Sequence, residues 1–363
     1  MDNNFFELLH LACDMSHFSE ESKIKHKRLL KSNMYNARKE LIGMKCFYCG
    51  KSIASCNSHF VPKSYLQNIA SNGEVFLANR AIKFEGLEDR AGLNSAGTFH
   101  LICRNCDNII FKDYENFDYR TKPTTKILAQ IALKNYLKFI DKRLFEKSLI
   151  YNSMKNHVPY YVYNSYLEVK NIDIEDYKKD IYKIKRFLEG HGNKEYTIVF
   201  LKRLDYVVPL ASQTCVALTH DFKGNTINNI YSMSKHNNIE SIHICIFPLR
   251  ESSVVIMFYD NKSKKYRGFR RQFNNFNDEE KLAIILYILV KQSEDIFYSK
   301  NIPSEIFDHQ EFIEAAQSNC VGVSNIEDEY LRHIKAMEKI NEDFDLNNFN
   351  SIPNLLAEEY KIK

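Results

Sequence analysis

Two stretches decide how this chain is read. The first is Cys46-Phe-Tyr-Cys49-Gly50-Lys51 with Cys56-Asn-Ser58-His59-Phe-Val-Pro62-Lys63 close behind it; the second is Phe99-His100-Leu-Ile-Cys103-Arg-Asn-Cys106-Asp107-Asn108. Each Cys-x-x-Cys knuckle can turn two thiolates toward a common centre, so Cys46, Cys49, Cys103 and Cys106 read as one tetrahedral zinc site. The plainer alternative, coincidental buried thiols, has to place four of nine cysteines in two paired knuckles. A redox Cys-x-x-Cys needs only one pair, in a βαβ setting. Gly50 suits the tight turn of a knuckle, and the second knuckle is expected to open a helix carrying Asp107 and Asn108 in its first turn. Cys56 is spare to a four-cysteine site and is expected to be a buried neighbour. Cys215 and Cys245, in apolar runs, read as core, and Cys13 and Cys320 are scattered.

Outside these stretches, length sets the frame. A chain of 363 residues exceeds one ordinary domain of about 100–200 residues, and 44% hydrophobic content can fill a sizeable core. Disorder throughout the chain is excluded, as is a lone zinc finger. A net charge of +4, from 50 basic and 46 acidic side chains, makes any basic footprint local. One such footprint is Lys23, Lys25, Lys27, Arg28, Lys31, Arg38, Lys39 and Lys45, which suits a solvated helix face or a phosphate-contacting arm. The longest apolar run, Leu282 to Val290, is far short of the roughly 18–20 residues that cross a bilayer and reads as a buried helix. Met1–Glu21 is interrupted by Asp2, Glu7, Asp14 and Glu20 and does not read as a signal peptide, so a reducing, cytoplasmic setting with no membrane association is expected.

The fold class expected is α+β. Helical spacing at Phe5, Leu8, Leu9 and Ala12 leads into the basic arm over 1–45, and the cysteine unit follows over 46–120. A helical connector over 121–192 starts near Pro123, with Thr121 as its cap, and a later helix bearing Ile181, Ile184 and Phe187 stops at Gly190 and Gly192. Over 193–300 the runs Tyr196–Leu201, Thr214–Thr219, Ile242–Phe247 and Ser253–Tyr259 read as strands of one antiparallel sheet, joined by a helix capped at Asp278. Residues 301–363 read as a terminal helix around Tyr330, Ile334 and Met337 and a loosely held tail at Asp345–Asn350.

The cysteine unit resembles the HNH endonuclease family, in particular the branch with a Ser-His-x-x-Pro-Lys box and a Cys-x-x-Cys-Asp-Asn helix start. The matching residues are Cys46 and Cys49, Ser58-His59-Phe-Val-Pro62-Lys63, His100-Leu-Ile-Cys103, Cys106-Asp107-Asn108 and a distal Glu115, about a fifth of the chain over 46–118. The resemblance implies an N-terminal ββα-metal unit with a treble-clef zinc site, and His59 as the base that takes a proton from the attacking water. It implies a second, catalytic ion, Mg²⁺ or Mn²⁺, with Asp107, Asn108 and Glu115 as candidate ligands. His100 is a further catalytic or orienting candidate. Two positions depart from the family's pattern: Ser58 stands where an acidic metal ligand is usual, and Thr98, with Asn94 and His100 nearby, stands where an orienting asparagine is usual.

The expected activity is hydrolysis of phosphodiester bonds in DNA, with RNA not excluded, and an appended domain on such a nuclease suits defence against foreign nucleic acid. The alternatives are a catalytically degenerate zinc-stapled nucleic-acid-binding module and a protein–protein adaptor. The insert Tyr65–Gly97, with Arg80, Lys83, Glu85, Glu88, Asp89 and Arg90, is expected to shape a substrate groove. In the C-terminal half Lys262, Lys264, Lys265, Tyr266, Arg267, Phe269, Arg270 and Arg271 interleave cations with aromatics, which suits either a solvated hairpin or a surface that tracks phosphates and stacks on bases. His220-Asp221 reads as a turn. The C-terminal domain could also bind a protein partner or form a homodimer.

Overall fold

Strands whose residues are buried without interruption need cover on both faces, and the C-terminal half supplies such strands. The computed structural model describes residues 19–51, 53, 56–83, 87–155, 159–230, 237–318 and 345–362. The expected helix at Phe5–Ala12, the helix around Tyr330, Ile334 and Met337, and Cys13, Glu85 and Cys320 lie outside the described residues. The chain is α+β.

Its larger sheet holds seven strands among the described residues, all antiparallel: β2 (Glu74–Leu77), β3 (Arg90–Gly92), β5 (Tyr196–Leu204), β6 (Leu210–Val216), β7 (Ile242–Pro248), β8 (Ser253–Asp260) and β9 (Ile296–Tyr298), in the order β3-β2-β9-β6-β7-β8-β5. Every residue of β6 and β7 is buried. Alternation along the central strands sorts two cores. Cys245, Phe247, Val254, Ile256 and Phe258 meet one layer, and Ile244, Ile246, Val255 and Met257 meet the other.

The second of these layers is built on α9 (Asp278–Gln292), whose run Leu282–Val290 is entirely buried, as the apolar pattern implies. Helices α8 (Arg267–Phe273), α10 (Ser304–Phe307) and α11 (Gln310–Gln317) join it. The first layer holds α6 (Thr125–Met154), α7 (Tyr160–Leu188) and the cysteine unit. That unit contains a two-stranded ribbon, β1 (Ser58–His59) with β4 (Thr98–Phe99), then α4 (Arg104–Ile110) and α5 (Lys112–Glu115). Its insert forms α2 (Lys63–Ile69), β2, α3 (Asn79–Ile82) and β3, and so gives two strands to the large sheet. Helix α1 (Glu20–Leu41) packs on α6 through buried Leu30 and Ala37.

Several local expectations shift. The cap of α9 is Asn277, whose side chain accepts from Glu280 N while the Glu280 carboxylate accepts from Asn277 N; Asp278 is the first helical residue and pairs with Lys202. Thr124, not Thr121, caps α6, with its hydroxyl accepting from Ile127 N. Strand β6 begins at Leu210, four residues earlier than its β-branched run suggests, because Leu210–Ser212 pair with β9. The tail is not loosely held: Leu346, Phe349, Ile352, Leu355 and Leu356 are buried against the α9 layer.

A buried histidine ties α6 to the sheet. Asn135 accepts from Gln213 Nε2 (3.1 Å), and its own amide donates to the Thr214 carbonyl (3.0 Å) and to Nδ1 of His243 (3.1 Å). Nδ1 is therefore the acceptor nitrogen, and the ring stacks on Phe258 at 4.8 Å. Burial, with the nearby Lys194 charge, lowers the His243 pKa from 6.5 to about 3. The folded state resists a proton that the unfolded chain accepts, so the stability this histidine supports is present above pH 6.5 and is lost as pH falls toward 3. Urea unfolding of the wild type and of His243→Gln, which keeps an acceptor but does not titrate, should show a shallower acid loss in the variant. Identical pH profiles would contradict this account.

Candidate functional site

The two knuckles meet through their main chains. Phe47 N donates to Leu101 O (2.9 Å), Cys103 N to Cys46 Sγ (3.3 Å) and Gly50 N to Cys46 O (2.8 Å). Gly50 adopts φ +67°, a left-handed conformation that glycine takes without strain. The Sγ atoms of Cys46, Cys49, Cys103 and Cys106 lie within 4.8 Å of one another, with Cys49 and Cys103 at 4.0 Å. A tetrahedral zinc with bonds of about 2.3 Å sets sulfurs about 3.8 Å apart, so this cluster could hold a metal ion such as zinc. Burial and the neighbouring sulfurs push the Cys106 thiol up; a cation at the centre is what would make four thiolates tenable together. Cys56 is buried beside this cluster and donates from Sγ to Asp107 Oδ2 (3.5 Å).

His59 sits on β1 in the ribbon this cluster closes. Its Nε2 is 2.7 Å from the carbonyl of Leu93. A carbonyl only accepts, so Nε2 carries the proton and Nδ1 keeps a lone pair. Leu93 is held in turn by donation from its own N–H to Gly73 O (3.0 Å), at the end of β3. The loop closes at Gly97, whose φ is +65° and where a Cβ would stand 2.7 Å from the Phe297 ring. Lys63 donates to Asn94 Oδ1 (2.6 Å), which fastens the same loop from the other side. Burial lowers the His59 pKa below its ordinary 6.5, and the Lys134 and Lys63 charges lower it further against the Leu93 carbonyl and Glu115.

The candidate carboxylates converge on a residue that the sequence does not announce. Helix α6 presents Gln130, Lys134, Lys138 and Asp141, spaced four, four and three apart, along the face toward the cysteine unit. Gln130 Oε1 accepts from Tyr114 N (3.1 Å), and Asp141 Oδ1 from His100 N (3.1 Å). Lys138 pairs with Asp295 and lies over the Phe60 ring. Lys134, with 1% of its side chain exposed, bonds Glu115 Oε1 at 2.5 Å and stands 4.0 Å from Asp107 Oδ1. Rings of Phe111 (4.4 Å) and Tyr114 (5.2 Å) flank its ammonium. Asp107 Oδ1 also accepts from Ser58 Oγ at 2.5 Å.

Ser58, Asp107, Glu115 and Lys134 thus form one contact group, and His59, next to Ser58 in the chain, feels the Lys134 and Glu115 charges. Asn108 is exposed, and among the described residues no contact joins it to that group. His100 lies apart from it, against Asp141, whose carboxyl is raised by burial.

The donor set does not fit Mg²⁺ or Mn²⁺ in this arrangement. A divalent ion seated on the Asp107 and Glu115 oxygens would stand close to the Lys134 ammonium. The repulsion is roughly 8 kcal/mol for charges of two and one at about 4 Å and an effective dielectric of about 20. Among the described residues, the four cysteines are the one group of three or more His, Cys, Asp or Glu side chains that converge closely enough to hold an ion.

The basic segments part company. On α1, Lys23 pairs with Glu20, Lys31 pairs with Glu88 of the insert and Arg38 covers the Phe145 ring, while Lys25 and Arg28 are exposed. In the second cluster Tyr266 and Phe269 are fully buried in the α9 layer, so these rings cannot stack on bases; Lys264, Arg267, Arg270 and Arg271 are exposed around them, and Lys265 reaches the Asn238 carbonyl. This cluster lies on the opposite side of the sheet from His59. Asp221 closes a turn by accepting from Lys223 N and Asn225 N, and His220 bridges Thr226 at its base, so the pair flanks a turn.

Comparison of the chain with protein-family models, with curated proteins and with solved structures finds no match in any of the three.

The cysteine geometry makes a direct prediction. The purified chain should carry about one zinc, and Cys103→Ser should lose it and open the 46–118 region to limited proteolysis. A well-folded, zinc-free variant with wild-type protease resistance would contradict the assignment.

Proposed function

We propose that this chain is a zinc-stapled, HNH-like nuclease that hydrolyses phosphodiester bonds in DNA, with His59 as the general base and zinc confined to the scaffold. The observation that carries this reading is the His59 tautomer: Nε2–H is committed to the Leu93 carbonyl, which leaves Nδ1 as a bare acceptor on a half-buried ring. Burial and two cations keep that ring neutral at physiological pH, which a base requires. Nδ1 takes a proton from water as the water oxygen bonds to phosphorus. The bond from phosphorus to the leaving sugar oxygen breaks, and that oxygen takes a proton from solvent. Lys63, half-buried beside the base, is the cation placed to meet the phosphate. The exposed Lys25 and Arg28 of α1 would extend the contact along the backbone without reading sequence.

A second reading, a zinc-stapled DNA-binding module without catalysis, is favoured by one observation: Lys134 stands at the carboxylates where the family resemblance would put the catalytic ion.

Nicking of supercoiled plasmid separates the two. His59→Ala should reduce the rate by about 10²-fold or more while DNA binding persists. Equal nicking by both proteins would refute the base assignment, and binding with no cleavage by either would establish the second reading. Because the His59 pKa is below 6.5, the nicking rate should be flat through neutral pH and fall only as pH drops below 6.5. An acid limb centred above 6.5 would contradict the depressed value.

A further inference from the structure

A buried ammonium is stable only where its charge is met, and the groups that meet it reveal what the site is built to hold. For Lys134 these are Glu115 at 2.5 Å and Asp107 at 4.0 Å, two of the three candidate ligands for a catalytic ion. Asp107 also accepts from Ser58 Oγ and Cys56 Sγ. Beneath the ammonium, Phe111 and Tyr114 turn ring faces to it within 4.4 and 5.2 Å, an arrangement that favours an organic cation. The rings belong to the same short stretch as Glu115, so anion and aromatic walls come from one turn of chain. Lys134 itself is delivered by α6, whose neighbours on the same face, Gln130, Lys138 and Asp141, are each committed to the cysteine unit, its aromatic ring or the adjoining sheet.

We propose that Lys134 is an internal cation that occupies the carboxylate site a divalent metal would otherwise take, and that it closes this site to Mg²⁺ and Mn²⁺. The inference rests on reading 46–118 as an HNH-like unit, but its readout is metal binding, whereas the effect of His59→Ala on plasmid nicking tests the nuclease reading alone. Two consequences follow. The phosphate charge must be met by side chains, with half-buried Lys63 among them, and any nicking by the wild type should not depend on added Mg²⁺. The serine at position 58 also has a use: with the ion replaced by an ammonium, a hydroxyl that donates to Asp107 serves the site, whereas a third carboxylate would leave negative charge unmatched.

The experiment is Mn²⁺ binding, followed by the electron paramagnetic resonance of free Mn²⁺, on the zinc-loaded full chain in buffer freed of other divalent ions. Four proteins are compared: wild type, Glu115→Gln, Lys134→Met and Lys134→Gln. The wild type should show no Mn²⁺ site that Glu115→Gln removes. Lys134→Met or Lys134→Gln, with zinc retained, should gain one site with an affinity raised by about tenfold or more. A wild-type Mn²⁺ site abolished by Glu115→Gln would overturn the proposal, and so would Lys134 variants that keep zinc and gain no site. The wild-type and Glu115→Gln measurements can overturn the proposal even where both Lys134 variants fail to fold.

Discussion

The ion pair between Lys134 and Glu115 is the interaction on which the arrangement of the molecule turns. A lysine taken wholly out of water must find its counter-charge at a fixed place, and breaking such a pair leaves an uncompensated buried charge. Here the counter-charge lies on the cysteine unit while the lysine lies on α6, so the pair fixes how one docks on the other. On a neighbouring face of the same helix, Asn135 bonds Gln213, Thr214 and His243 of the sheet. Two polar sets, pointing in different directions from the buried stretch 127–138 of one helix, set three pieces in register.

The site inherits its geometry from this docking. His59 would be a rotatable side chain on a two-residue strand were it not for the Leu93 carbonyl, and Leu93 is placed by the end of β3. That strand belongs to the large sheet through β2 and β9. The orientation of the candidate base therefore depends on the edge of a sheet whose other strands come from residues far along the chain. An insert within the cysteine unit becomes, in this way, the support of the candidate base.

What was legible in the sequence was what depends on local pattern. The paired knuckles gave the cysteine cluster, because the thiols sit at fixed short spacing within two turns. The β-branched runs gave the strands, and the apolar run at Leu282–Val290 gave its helix. Membership of β2 and β3 in the large sheet is not legible, since four- and three-residue strands carry little periodicity and β9, which joins β2 to the rest of the sheet, is more than two hundred residues away. The apolar positions of α6 alone do not announce Lys134. Polar residues at 130, 134 and 138, spaced by four within a buried stretch, were the available signal: in a helix this apolar, such a stripe has to be answered by partners on another element. The basic aromatic cluster at Lys262–Arg271 suits two readings in the sequence for the complementary reason: its rings are spaced to enter the core from a short helix, and only its cations reach solvent.

The account stands most directly on the protonation of one ring. A long-range proton–nitrogen correlation spectrum of His59 in the zinc-loaded chain at about pH 7 should show the proton on Nε2 and a bare Nδ1. A proton on Nδ1, or on both nitrogens at that pH, would contradict the account, because no lone pair would then face the water that His59 is proposed to activate.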